Sequence, residues 1–130
     1  MMSIIRFKIV LFCLIFLLPF DVAQANKDVC YGAKTENSLL TCRQQEYAKS
    51  EVTLKNLLNS LSANYEREEP KQLQLLNESQ SKWQAYRDAE CLLTTFESSS
   101  GSAYEVYKLD CLNKLNLKRI KDLKLLQPSP

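Results

Sequence analysis

The pattern of hydrophobic and polar positions predicts a long first helix between residues 35 and 66. Apolar side chains repeat there at steps of three, four or seven along one face, and these are Leu40, Tyr47, Leu54, Leu58, Leu61 and Tyr65. Thr35 can cap the helix through its hydroxyl, whereas Ser38 occupies the position where a complete capping box has Glu or Gln. We therefore predict a helix from Thr35 to about Glu66 with an incomplete start signal.

Two further helices follow. Pro70 suits the first turn of the second helix, which should run to about Glu97, and residues 98–102 (Ser-Ser-Ser-Gly-Ser) predict a turn. The third helix has an apolar face made of Val106, Leu109, Leu112, Leu115, Ile120 and Leu123. Because only a short break separates the two long helices, we predict an all-α fold, in which a long antiparallel helical hairpin packs with a third helix.

The inner face of the second helix is apolar at one end and polar at the other. Leu73 and Leu76 are followed on the same face by Gln80, Trp83, Arg87 and Glu90. Arg87 and Glu90 are three residues apart and can pair on one helix face. We favour a hydrogen-bonded structural network that fixes how this helix meets its neighbours. A ligand or partner site is the alternative.

The first 25 residues resemble a secretory signal peptide. Arg6 and Lys8 precede an apolar run, and Ala23 and Ala25, two positions apart, precede the predicted cleavage after Ala25. The run is about twelve residues long, too short to span a bilayer, so we expect no membrane anchor after cleavage. We predict a helical domain at residues 26–127, a frayed tail at 128–130, and a periplasmic or secreted location in a bacterium.

Four cysteines remain once the predicted signal peptide, which contains Cys13, is removed. An even set in an oxidising compartment predicts two disulfides, and four cysteines allow three pairings. We favour Cys30–Cys42 and Cys91–Cys111 because each closes a local loop. The second bridge would join the second and third helices.

Composition argues against catalysis and against nucleic-acid binding. The chain has no histidine, which excludes Ser-His, Cys-His and His-ligated metal sites, and we expect no cofactor. Its formal net charge is only +2, and cations in the third helix can oppose the helix dipole, although contact with an anionic surface is an alternative. A carboxylate pair would need a cleft that a thin hairpin does not offer. We predict a protein that is not an enzyme.

The central run, residues 80–91, resembles that of the LprI-type lysozyme inhibitor domain family. The family pattern of Gln, two residues, Trp, three residues and Arg-Asp-Ala-Glu-Cys is present without a gap. Further resemblances are Cys30, Thr35, Leu39, Cys42, Tyr47 and Leu54 upstream, and Cys111, Leu112, Leu115, Arg119 and Leu123 downstream. Departures from the family pattern are Ser38, Leu40, Leu58 and Asn116.

The resemblance implies a secreted helical protein that binds host lysozyme and protects peptidoglycan. Animal lysozymes are strongly basic, so an acidic edge would favour encounter, and Glu66, Glu68 and Glu69 at the hairpin tip are our candidates. The alternative for Glu68 and Glu69 is that they complement a helix dipole. Ser99 and Ser100 in the second turn are further candidates for partner binding. The alternative function is a non-enzymatic envelope binding module, stress factor or immunity protein with another protein partner. The oligomeric state stays open.

Overall fold

A computed structural model describes residues 28–127, which form three helices and a short 3-10 helix. The helices are α1 (Glu36–Glu68), α2 (Pro70–Thr94) and α3 (Tyr104–Lys124), and the 3-10 helix (Phe96–Ser98) follows α2. The predicted signal peptide and the tail at 128–130 lie outside the described residues. The all-α prediction is confirmed, but α2 ends three residues before the expected Glu97 because the chain tightens into the 3-10 turn.

The start of α1 corrects one expectation. Thr35 is the N-cap, and its hydroxyl accepts a hydrogen bond from the Ser38 backbone N–H at 3.1 Å. The Ser38 hydroxyl in turn accepts from the Thr35 backbone N–H at 3.1 Å. The capping box is therefore complete, because the serine hydroxyl reaches back as a Glu or Gln side chain would.

The helices run up, down and up. Only Glu69 separates α1 from α2, and Pro70 begins α2 where a missing N–H leaves no helical bond unmade. As an antiparallel hairpin predicts, Arg87 of α2 contacts Glu51 of α1 across it. The third helix is parallel to α1 and packs most extensively against it. None of the helices in this part of the chain is both long and apolar enough to cross a bilayer.

The hydrophobic core lies toward the hairpin tip. It consists of Leu54, Leu57, Leu61, Leu76, Ile120 and Leu123, with Leu58, Tyr65 and Trp83 packed around it. Leu57 belongs to this core although the predicted stripe omitted it. Burial of six aliphatic side chains contributes about 1.5–3 kcal/mol each, so this cluster is a main source of stability for the half of the bundle near the hairpin tip.

Two disulfides tie the other end of the bundle. Cys30–Cys42 fixes residues 28–34 to α1, and Cys91–Cys111 joins α2 to α3. These are the favoured pairings, and the predicted staple between the second and third helices is confirmed. The interior is therefore apolar in the half of the bundle near the hairpin tip, and two disulfides cross-link the half near the 3-10 turn.

Candidate functional site

A buried polar layer separates the hydrophobic core from the disulfide end. Arg87, only 7% exposed, donates through Nη1 to Glu51 Oε1 at 2.6 Å and to Asn116 Oδ1 at 2.8 Å. Its Nε donates to Asp88 Oδ1 at 2.9 Å. Each of the three helices thus supplies an acceptor for the Arg87 guanidinium, and these hydrogen bonds fix the relative positions of the helices.

Asn116 is the hub of this layer and is 0% exposed. Besides accepting from Arg87, it donates through Nδ2 to Glu51 Oε1 at 2.7 Å and to Ser50 Oγ at 3.0 Å. In the sequence, Asn116 stands out only as a departure from a family pattern. Its position four residues after Leu112 and four before Ile120, both buried, is the signal that would have placed it inside.

The charge of Arg87 is maintained despite burial. Burial lowers the pKa of Arg87, but the hydrogen bond to Asp88 and the charges of Glu51 and Asp88 outweigh it, so the pKa is raised overall. Burial also raises the pKa of neighbouring Tyr47, which keeps that phenol protonated. The Arg87 guanidinium therefore donates three hydrogen bonds to groups within the protein. Such an arrangement suits architecture better than ligand binding.

The other residues of the predicted network take different positions. Trp83 and Gln80 are half-buried, and Gln80 Oε1 accepts from Arg119 Nε at 3.2 Å. The guanidinium carbons of Arg87 and Arg119 lie 5.2 and 5.6 Å from the centre of the Trp83 ring. Glu90 is half-buried, and Arg87 pairs with Glu51 and Asp88 instead of with it. The ion partner suggested by local spacing is thus replaced by one from another helix.

The hairpin tip presents the predicted acidic edge to solvent. Glu66, Glu68 and Glu69 are exposed, and within residues 28–127 none of them forms an ion pair. An open depression of about 640 Å³ adjoins the tip and is lined by Glu68, Glu69 and Leu126, among others. Leu61 and Leu76, which belong to the hydrophobic core, lie about two helical turns from the tip along α1 and α2.

The second candidate lies at the opposite end of the bundle. Ser99 and Ser100 are exposed in the connection between α2 and α3. Beside them, Leu93 and Phe96 are 73% and 72% exposed. This end therefore combines small polar residues with uncovered apolar side chains, a composition that sequence analysis did not anticipate.

A separate cluster of charged residues joins the N-terminal loop to α1 and α3. Arg43 pairs with Asp28 at 2.6 Å and with Asp110 at 3.3 Å, and Lys114 pairs with Asp110 at 2.6 Å. The hydrogen bond from Arg43 holds the pKa of the Asp28 carboxyl below its ordinary value, with help from the Cys30 backbone N–H. Among the described residues, no cluster of His, Cys, Asp and Glu is suited to a metal ion.

Comparison with known proteins places these features in context. A family model described as "Lysozyme inhibitor LprI" matches residues 28–123. An uncharacterized protein of Rhizobium meliloti (strain 1021) is 27% identical over 121 residues, covering 85% of this chain and 86% of its own length. No solved structure matches significantly. The family match covers α1, α2, α3 as far as Leu123, and both disulfides.

Proposed function

Because this chain belongs to the family of LprI lysozyme inhibitors, we propose that it acts outside the cytoplasm, where it binds an animal-type lysozyme and protects peptidoglycan. In this role the protein is not itself an enzyme. The two disulfides support a location that oxidises thiols. The fold supports inhibition because its polar layer and disulfides hold the three helices in one arrangement, so little ordering is needed on binding.

The exposed carboxylates of the hairpin tip are the observation that carries this proposal. Glu66, Glu68 and Glu69 form no ion pair in the described chain, so their charge is available to a partner. Arg67 lies between them in sequence, but its Nη2 donates to Asn64 Oδ1 and its Nε to the Ala63 carbonyl. That cation is therefore held along α1. Lys71 lines the same depression as Glu68 and Glu69, but within residues 28–127 it forms no ion pair with the three carboxylates.

Charge complementarity gives the tip a physical role in recognition. Animal lysozymes are strongly basic, and opposite charges on two partners raise the association rate and fix orientation. Because only Glu69 separates α1 from α2, the tip is a tight turn of the kind that can enter a substrate groove. We infer that the acidic edge docks first and that the narrow end of the hairpin obstructs access to the cell-wall polymer.

A cell-wall lysis assay tests this function. The oxidised protein should slow the loss of turbidity of bacterial cells treated with an animal-type lysozyme, in proportion to the molar ratio. The triple variant Glu66→Gln, Glu68→Gln and Glu69→Gln should require at least about tenfold more protein for the same inhibition, a loss of about 1.4 kcal/mol. Unchanged lysis at large molar excess of the parent protein would remove the proposal.

A matched control separates the tip from net charge. The variant Glu36→Gln, Glu78→Gln and Glu105→Gln removes three other exposed carboxylates, all of them away from the tip. It changes the net charge by the same amount and should leave inhibition within about twofold of the parent. Equal losses for the two triple variants would assign the effect to overall charge and reject the tip as the docking edge.

A second candidate function rests on the opposite end of the molecule. Leu93 and Phe96 are exposed beside Ser99 and Ser100, and uncovered apolar side chains favour a hydrophobic protein contact. This observation supports a non-enzymatic binding module, stress factor or immunity protein with another envelope partner. The variant Leu93→Ser with Phe96→Ser should abolish capture of such a partner and leave lysozyme inhibition unchanged.

A further inference from the structure

A groove between α2 and α3 has an apolar lining and one cation. It has a volume of about 250 Å³ and is lined by Tyr65, Gln72, Leu75, Leu76, Ser79, Arg119, Leu123 and Leu126. Leu76 and Leu123 are buried and form its floor, whereas Leu75 and Leu126 are exposed at its rim. The lining of the groove is thus mainly apolar. The Arg119 guanidinium and the Ser79 hydroxyl form its polar end.

The cation of this groove lacks an anionic partner. Arg119 donates through Nε to Gln80 Oε1 and through Nη2 to Ser79 Oγ at 2.9 Å, both neutral acceptors. Within residues 28–127 no carboxylate lies within ion-pair distance of it. Burial lowers the pKa of Arg119, and Asp122 opposes this only in part. Its environment therefore favours an added negative charge.

The contrast with Arg87 strengthens this point. Both guanidiniums lie over the Trp83 ring, but Arg87 has Glu51 and Asp88 as ion partners. Arg119 keeps Nη1 without a hydrogen bond in the described chain, and Ser79 still has its hydroxyl proton to donate. One cation and one hydroxyl donor match a planar head with a single negative charge.

We propose that this groove binds an unbranched fatty-acid-type monocarboxylate, with the carboxylate on Arg119 and Ser79 and the alkyl chain along Leu75, Leu76 and Leu126. The apolar lining provides the affinity for the chain, and the unpaired guanidinium selects the charged head over a neutral one. The groove shares Tyr65, Gln72, Leu75 and Leu126 with the depression at the hairpin tip, but Arg119 and Ser79 line only the groove. The proposal does not use the carboxylates of the tip. It goes beyond lysozyme inhibition, and either activity can fail without the other.

Fluorescence of Trp83 provides a direct assay, because it is the sole tryptophan of the chain and Arg119 lies over its ring. Titration of the oxidised protein with decanoate, below its micelle concentration, should change the emission saturably. Decanol, which has the same chain and no charge, should bind at least about tenfold more weakly. Absence of a saturable change, or equal binding of decanoate and decanol, would overturn the proposal.

Variants test the two ends of the groove by calorimetric titration, which does not depend on the tryptophan. Arg119→Gln should weaken decanoate binding about tenfold or more and leave decanol nearly unchanged. Leu75→Ser, at a position 57% exposed, should weaken both compounds several-fold without unfolding the protein. Leu92→Ser, 54% exposed on the same helix but outside the groove, is its matched control and should bind like the parent. Parent-like binding by Arg119→Gln and Leu75→Ser would place the ligand elsewhere.

Discussion

Replacement of Arg87 by alanine tests whether the buried polar layer is a structural element. The substitution leaves Asn116 Oδ1, in a residue that is 0% exposed, without its donor. An unsatisfied buried acceptor costs about 1–3 kcal/mol, and loss of the contact with Trp83 adds about 0.5–1 kcal/mol. Glu51 still accepts the hydrogen bond from Asn116 Nδ2 in this variant. The Glu51 side chain is 41% exposed, so water can partly replace the lost hydrogen bond from Arg87. We expect a destabilisation of about 2–4 kcal/mol in total.

Thermal unfolding followed by circular dichroism measures this effect. For a domain of about 100 residues the expected loss corresponds to a fall in Tm of roughly 8–30 °C. Glu68→Ala, at an exposed site without an ion partner, should change stability by no more than about 0.5 kcal/mol. Arg67→Ala is the matched arginine control, since its side chain bonds only within α1. A Tm for Arg87→Ala equal to or above those of the two controls would refute the structural role of the layer.

Three further predictions concern the ends of the helices and the loop. The double substitution Cys91→Ser and Cys111→Ser removes the second disulfide and frees a loop with a sequence separation of 20 residues. It should lower the free energy of unfolding in urea by about 3 kcal/mol, and a loss below about 1 kcal/mol would contradict this. Ser38→Ala should cost about 0.5–1 kcal/mol by the same measurement, since half of the capping box is lost, and Thr41→Ala, outside the box, serves as a control. The pKa of Asp28 is lowered in the folded protein, so its contribution to stability is present at neutral pH and is lost as the pH falls through the folded-state pKa. The Tm difference between the parent and Asp28→Asn should therefore shrink on acidification from about pH 5 downward, and a difference that grows with acid would have the wrong sign.

The helices and the disulfides could be predicted from the sequence because their signals are local. Pro70 marks the start of α2, and each cysteine pair closes a short loop, so the pairing follows from neighbouring segments. The capping role of Ser38 was missed because serine is an uncommon choice at that position, although its hydroxyl can make the same bond.

The contacts of the polar layer could not be predicted in the same way. Arg87 meets Glu51 across 36 positions of sequence, and Asn116 meets Ser50 across 66. Spacing along one helix pointed to Glu90 as the partner of Arg87, but the packing of α1 brings Glu51 closer. Helix periodicity predicts which face is inward, and only the register between helices decides which inward groups meet.

The association rate of the oxidised protein with an animal-type lysozyme, measured at increasing ionic strength, tests the account most directly. If the acidic hairpin tip guides binding, the rate should fall steeply as salt rises, because the carboxylates are exposed and their field is screened beyond about 10 Å at 0.1 M salt. The triple variant at Glu66, Glu68 and Glu69 should associate more slowly and respond less to salt. A parent rate that does not change with salt, or no binding at all, would contradict the account.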